Sequence, residues 1–113
     1  MSRVEYSGNV VQMNGESVTF EHDVKDAFEY ENLIIVLLNP PTDVDNRRNV
    51  HAISPTCERA WRIETPTTKD VTGAVVYTSV YIDDGSLIAR TWGGDEYTVD
   101  PETGKIDYRR FVK

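Results

Sequence analysis

Six consecutive apolar residues, Leu33-Ile34-Ile35-Val36-Leu37-Leu38, stand between Glu31-Asn32 and Asn39-Pro40-Pro41. A run this short has the length of a strand buried on both faces and falls far below the ~18 apolar residues that a membrane span needs. It is bounded by turn residues on one side and by two prolines, which cannot donate to a ladder, on the other. The sequence therefore predicts a strand over residues 33–38 at the centre of the fold.

The rest of the chain reads as strands and tight turns. Asn14-Gly15 separates Val10-Val11-Gln12-Met13 from Ser17-Val18-Thr19-Phe20, and this pair suits a type I′ hairpin because both positions accept φ > 0. Residues 24–30 alternate imperfectly and fit a strand or a short helical turn. Residues 50–54 and 59–64 form an expected hairpin across Pro55-Thr56-Cys57-Glu58. Two loops are expected, over 39–46 and over 65–73. Residues 74–82 are the longest strand candidate, turned back by Asp83-Asp84-Gly85 into residues 86–92, with Gly93-Gly94 as the next turn or bulge. Residues 96–99 and 105–112 pair around Asp100-Pro101-Glu102-Thr103-Gly104, with proline where φ near −65° is wanted and glycine where φ is positive. No segment sustains a period of 3.6, so little helix is expected. The predicted architecture is a single all-β domain over residues 1–113, an antiparallel two-sheet sandwich or partly open barrel of about nine short strands.

Two stretches echo each other. Val50-His51-Ala52-Ile53-Ser54-Pro55 followed by Trp61 parallels Tyr97-Thr98-Val99-Asp100-Pro101 followed by Tyr108, and each is preceded by a hydrophobic strand. The Asp100-Pro101-Glu102-Thr103-Gly104-Lys105 turn is similar to the D-P-x-T-G-x turn of quinoprotein-type β-propeller blades. The resemblance implies two blade-like antiparallel units, and two are too few to close a ring of at least about four. At a wider scale the chain resembles a set of short uncharacterised prokaryotic proteins. The matching residues are Arg48-Asn49-Val50, Ala52-Ile53, Trp61-Arg62-Ile63-Glu64, residues 81–89, Trp92, Gly94, Tyr97 and the turn from Asp100 to Ile106. That resemblance implies kinship and no activity.

Charge narrows the partners. The 113 residues carry a formal net charge of −7, which repels phosphate backbones and anionic lipid, so neither nucleic acid nor a membrane is expected as a partner. The acids are spread along the chain, arginine outnumbers lysine, and valine and threonine are frequent. This composition suits a cytosol of high ionic strength as well as an ordinary acidic one. A lone Cys57 fits a reducing compartment, and the N-terminal Met1-Ser2-Arg3-Val4-Glu5-Tyr6 lacks the apolar core of a secretory signal. A cytoplasmic location is the expectation. At 39% apolar residues, against about 45–50% for typical domains, the core should be thin.

Chemistry-bearing constellations are sparse. Cys57, His22 and His51 are too few and too scattered for the four ligands of structural zinc. Asp43, Asp45 and Asn46 resemble a fragment of a calcium loop without its glycine and bidentate glutamate. There is no G-x-S-x-G elbow, and Gly93-Gly94 lacks the helix and lysine of a phosphate loop. No catalytic residue, metal or cofactor is assigned, and the reading leans away from an enzyme.

Aromatic and arginine residues give the remaining signal. Alternation puts Ile88, Arg90 and Trp92 on one face of their strand, and Leu87, Ala89 and Thr91 on the other. Facing outward, Arg90 and Trp92 form an anchor pair of the type enriched at interfaces. Facing inward, Trp61 and Trp92 are core residues and Arg90 a cross-strand partner of an acid such as Glu96. Arg47-Arg48 and Arg109-Arg110 read as local charge pairs that relieve self-repulsion. Two functions from different classes follow. One is a non-enzymatic protein-interaction or assembly module, with a protein partner or a homodimer. The other is a small-ligand binder or enzyme with a pocket between the sheets, lined by Tyr97, Trp61 and other aromatics, with Arg90 or His51 as polar handle.

Overall fold

The computed structural model describes residues 4–13, 15–41, 48–64 and 76–111. The first sheet comprises β1 (Glu5–Ser7), β2 (Val10–Met13) and β3 (Glu16–Thr19), hydrogen-bonded in that order. The second comprises β4 (Val24–Tyr30), β5 (Leu33–Leu38), β6 (Val50–Ile53) and β7 (Arg59–Arg62), again in chain order. The third comprises β8 (Tyr77–Asp83), β9 (Ser86–Thr91), β10 (Asp95–Val99) and β11 (Ile106–Phe111). Every ladder is antiparallel, and no helix occurs among the described residues. The all-β sandwich predicted from sequence is the observed class. From about nine strands in two sheets, the count among the described residues rises to eleven in three. The additional sheet arises because β1 adds to the N-terminal hairpin, and residues 24–30 form a full strand in the second sheet.

The apolar run explains the layering. Side chains alternate across a strand, so Ile35 and Leu37 of β5 enter one core with Val50, Ala52, Tyr77, Leu87, Ala89, Tyr97 and Val99. Ile34, Val36 and Leu38 enter a second core with Val11, Met13, Phe20, Val24 and Ile53. The second sheet is therefore the middle layer, clad on one face by β1–β3 and on the other by β8–β11. A two-layer expectation would leave one face of β5 in water. The chain's modest apolar content is instead concentrated where both faces of one strand use it.

The two larger sheets are meanders of the same order, and the sequence echo maps onto them. Strands β5, β6 and β7 occupy the places that β9, β10 and β11 occupy in the other sheet. Turn chemistry fixes several hairpins. Asp84 (φ 51°) and Gly85 (φ 80°) form the two-residue link between β8 and β9, the type I′ geometry whose twist matches the strands. Cys57, with φ 63°, is a turn residue between β6 and β7, as expected. Asn14, residues 42–46 of the first expected loop and the whole of the second, 65–73, lie outside the described residues.

Several side chains cross-link the middle and third sheets, Lys25 and Tyr30 of β4 among them. Asn49, fully buried, donates from Nδ2 to the carbonyls of Leu38 (2.9 Å) and Tyr77 (2.8 Å) and accepts from the Tyr77 amide (3.0 Å). Burial without those partners would be costly, so asparagine here bonds two sheet ends that cannot bond each other directly. Glu64 accepts from the Ile106 amide (2.9 Å), while its carbonyl accepts from the Tyr77 hydroxyl (2.8 Å). Trp61 Nε1 donates to Pro101 O at 2.8 Å, which lays the indole against the β10–β11 turn.

Candidate functional site

The five residues singled out from sequence do not converge. Tyr97 is fully buried between the middle and third sheets, edge-on to Tyr77 (6.3 Å between centroids) and to Tyr108 (5.7 Å). That packing fills the place where an inter-sheet pocket was envisaged. His51 lies on the opposite face of the middle sheet, 5.0 Å from the Phe20 ring. Arg90 is half-buried on β9, in register with Glu96 as the alternation suggested. Trp92, just past β9, is 81% exposed, which excludes its reading as a core residue. Trp61 is half-buried at the edge strand β7.

Glu96 does not pair with Arg90 through its side chain. Its carboxylate, 3% exposed, accepts from Arg110 Nε at 2.8 Å and Arg109 Nη1 at 3.4 Å, and also from the Tyr81 hydroxyl. Arg109 reaches Asp83 at 2.5 Å. Burial pushes the Glu96 carboxyl up, but the hydrogen bonds from Tyr81 and Arg110 and the two guanidinium charges outweigh it and hold the group below its ordinary value. Arg109-Arg110 is thus the local charge pairing expected, organised around one buried acid.

The second assembly surrounds His51. Strand β6 carries His51 between Val36 of β5 and Arg62 of β7. Beyond β3, Phe20 and Glu21 fold over this surface, where Glu21 Oε2 meets His51 Nε2 at 3.3 Å and Arg62 Nη2 at 3.5 Å. Arg59 lies over the Phe20 ring, 4.9 Å from its centroid, and donates to Thr19 O at 3.0 Å. Glu21, His51, Arg59, Trp61 and Arg62 line an open hollow of about 580 Å³. Burial lowers the His51 pKa and keeps the imidazole neutral near pH 7; Glu21 opposes that shift, while Arg62 and Arg59 reinforce it. Burial also pushes the Glu21 carboxyl up, yet its backbone hydrogen bond, His51 and Arg62 bring it below its ordinary value.

Only His51 and Trp61 of this cluster were legible from sequence. Arg59 and Arg62 stand three apart on one strand, a spacing that alternation assigns to opposite faces, and only the register shift in β7 brings both to the His51 side. Nothing local in Phe20-Glu21 says that the link after β3 folds across β6 and β7. Among the described residues no group of three His, Cys, Asp or Glu is placed to hold a metal ion. Asp43, Asp45 and Asn46 lie outside the described residues. No helix among the described residues is long and apolar enough to cross a membrane.

No curated protein and no solved structure matches the chain. A family match extends over residues 1–111, and by it the chain belongs to the family described as Domain of unknown function (DUF7957).

Proposed function

We propose that this domain is a non-enzymatic protein-interaction module with Trp92 as its contact anchor, and that a homodimer is its simplest assembled form. The observation that supports the reading is the exposure of Trp92, 81% open to solvent on a braced turn. The Trp92 amide donates to Val76 O at 2.9 Å, the Gly94 amide to Thr91 O at 3.1 Å, and the Asp95 amide to Thr91 Oγ1 at 3.2 Å. An indole carried on such a turn loses little backbone freedom on binding, and tryptophan is enriched among the residues that dominate interface energy. A photo-crosslinking residue at position 92 tests this in the source cell, with one at the exposed Glu5 of the first sheet as control. A discrete adduct from position 92 alone is expected, and its mass distinguishes a second copy from another protein. No adduct, or equal adducts from both positions, refutes the reading.

We further read the net charge of −7 as adaptation of a cytoplasmic protein to a salt-rich cytosol. Thermal unfolding followed by circular dichroism should then shift upward in molar KCl. No stabilisation by salt would refute it.

A further inference from the structure

The hollow beside His51 is separate from the Trp92 turn and has a chemistry of its own. Its volume of about 580 Å³ falls in the range of ~300–1,000 Å³ that small-molecule sites occupy. Its charge runs against that of the whole protein. Arg59 and Arg62 supply two positive charges and Glu21 one negative, with His51 neutral, which leaves a surplus of +1 among the described lining residues. A second hollow, of about 340 Å³, has Glu31 and Glu102 and no cation among its described lining residues, a surplus of −2 there. A third, of about 320 Å³, balances Lys25 against Asp26. On a surface of net −7, a cationic concavity gathers anions and rejects cations by local field.

The walls are also built in advance. The Trp61 indole is tied through Nε1 to Pro101 O at 2.8 Å, and the backbone at Gly104 closes on its ring. Arg59 is held by Thr19 O and the Phe20 ring, and Arg62 Nε by Arg48 O at 2.7 Å. Two braced guanidinium groups, with Trp61 at the rim where the edge strand ends the sheet, suit an apolar body ending in a carboxylate, because guanidinium matches carboxylate geometry in two-pronged contacts. We propose that this hollow binds a small organic carboxylate, with Arg59 and Arg62 receiving the carboxylate and Trp61 the apolar body. Glu21 competes with the ligand for Arg62 and sets the affinity.

Benzoate is a suitable probe, titrated into the full chain carrying Trp92→Phe so that Trp61 is the single tryptophan and is excited selectively over the six tyrosines. A saturable change in Trp61 emission with a dissociation constant of about 1 mM or tighter is expected. Benzamide, lacking the charge, and acetate, lacking the ring, should each bind about tenfold more weakly. Arg59→Gln and Arg62→Gln should each weaken benzoate about tenfold, with folding checked by circular dichroism. The decisive variant is Glu21→Gln, which removes the competing acid and should tighten benzoate severalfold; an unfolded protein cannot imitate that gain. Benzoate that leaves the emission unchanged at ~10 mM overturns the proposal. Equal binding of benzamide, or unchanged or weakened benzoate binding in a folded Glu21→Gln variant, does so as well.

Discussion

Gly104 should tolerate a side chain far less well than Gly85, and two physical costs explain why. Its φ of 79° lies in the left-handed region, where any residue with a Cβ loses about 1–2 kcal/mol. A Cβ built there would also stand 2.6 Å from Trp61 Cε3, 2.9 Å from Cδ2 and 3.2 Å from the Arg62 carbonyl oxygen. The carbonyl belongs to the β7 backbone and cannot yield, and the indole can retreat only by stretching its bond to Pro101. Overpacking of this kind costs about 1–3 kcal/mol, so Gly104→Ala should lose about 2–5 kcal/mol in all. Gly85 supplies the control: its φ is 80° and a Cβ there meets nothing within 4 Å. Gly85→Ala should therefore lose only the conformational part, about 1–2 kcal/mol. Urea unfolding followed by circular dichroism gives both values. The difference should shrink when Gly104→Ala is placed in a Trp61→Leu background, where the ring is gone and the strained φ remains. Equal losses at the two glycines, within about 0.5 kcal/mol, would show that the indole contact carries no cost. An unchanged Gly104→Ala penalty without the ring would show the same.

Four further outcomes follow from the structure. Asn49→Ala strands the buried amide and carbonyl of Tyr77 and should lower stability by about 3 kcal/mol or more in the same urea assay. A loss under 1 kcal/mol would mean that the Asn49 bonds do not join the sheets. Acidification should destabilise the fold from the unfolded histidine value of 6.5 downward, because His51 takes up its proton less readily when folded. Below the ordinary glutamate value of 4.5 the loss should steepen, since the folded-state pKa values of Glu21 and Glu96 are lowered and their contribution disappears as they protonate; urea midpoints against pH should lose the upper component in His51→Gln. Glu96→Gln removes the acid shared by Arg109 and Arg110 and should cost about 2 kcal/mol, whereas Trp92→Ser should stay within about 0.5 kcal/mol of the parent protein in urea.

What the sequence disclosed depended on how local the cause was. Asp84-Gly85 and the turn from Asp100 to Gly104 were legible because their backbone geometry selects residue types on the spot. The central position of β5 was legible because an unbroken apolar run has no solvent face. Strand β1 carries no such mark: Glu5, Tyr6 and Ser7 are all exposed, so the strand rests on its ladder with β2 rather than on burial. The Arg90–Glu96 register was read correctly, but the bulge at Arg109 in β11 brings Arg109 and Arg110 to the carboxylate first. The His51 hollow was hidden for a different reason. Glu21 and His51 are separated by 30 residues, and their meeting depends on how the first sheet docks on the second, which no local pattern encodes. The sequence pattern around Arg48-Asn49-Val50 and residues 61–64 turns out to be structural. It supplies Asn49, Trp61 and Glu64, which fasten one sheet to the next.

Among the described residues, all ladders join strands that are consecutive in the chain. Loop closure for each pairing is therefore short, and the three sheets can zip from their own hairpins before they meet. Docking then adds the long-range contacts, with β5 buried on both sides and so the last strand to open. Amide exchange should accordingly be slowest at Ile35 and Val36, in the middle of the strand that both cores share. It should be fastest along β1, whose three residues are exposed. The order of exchange across the molecule would trace its layers from the outside in.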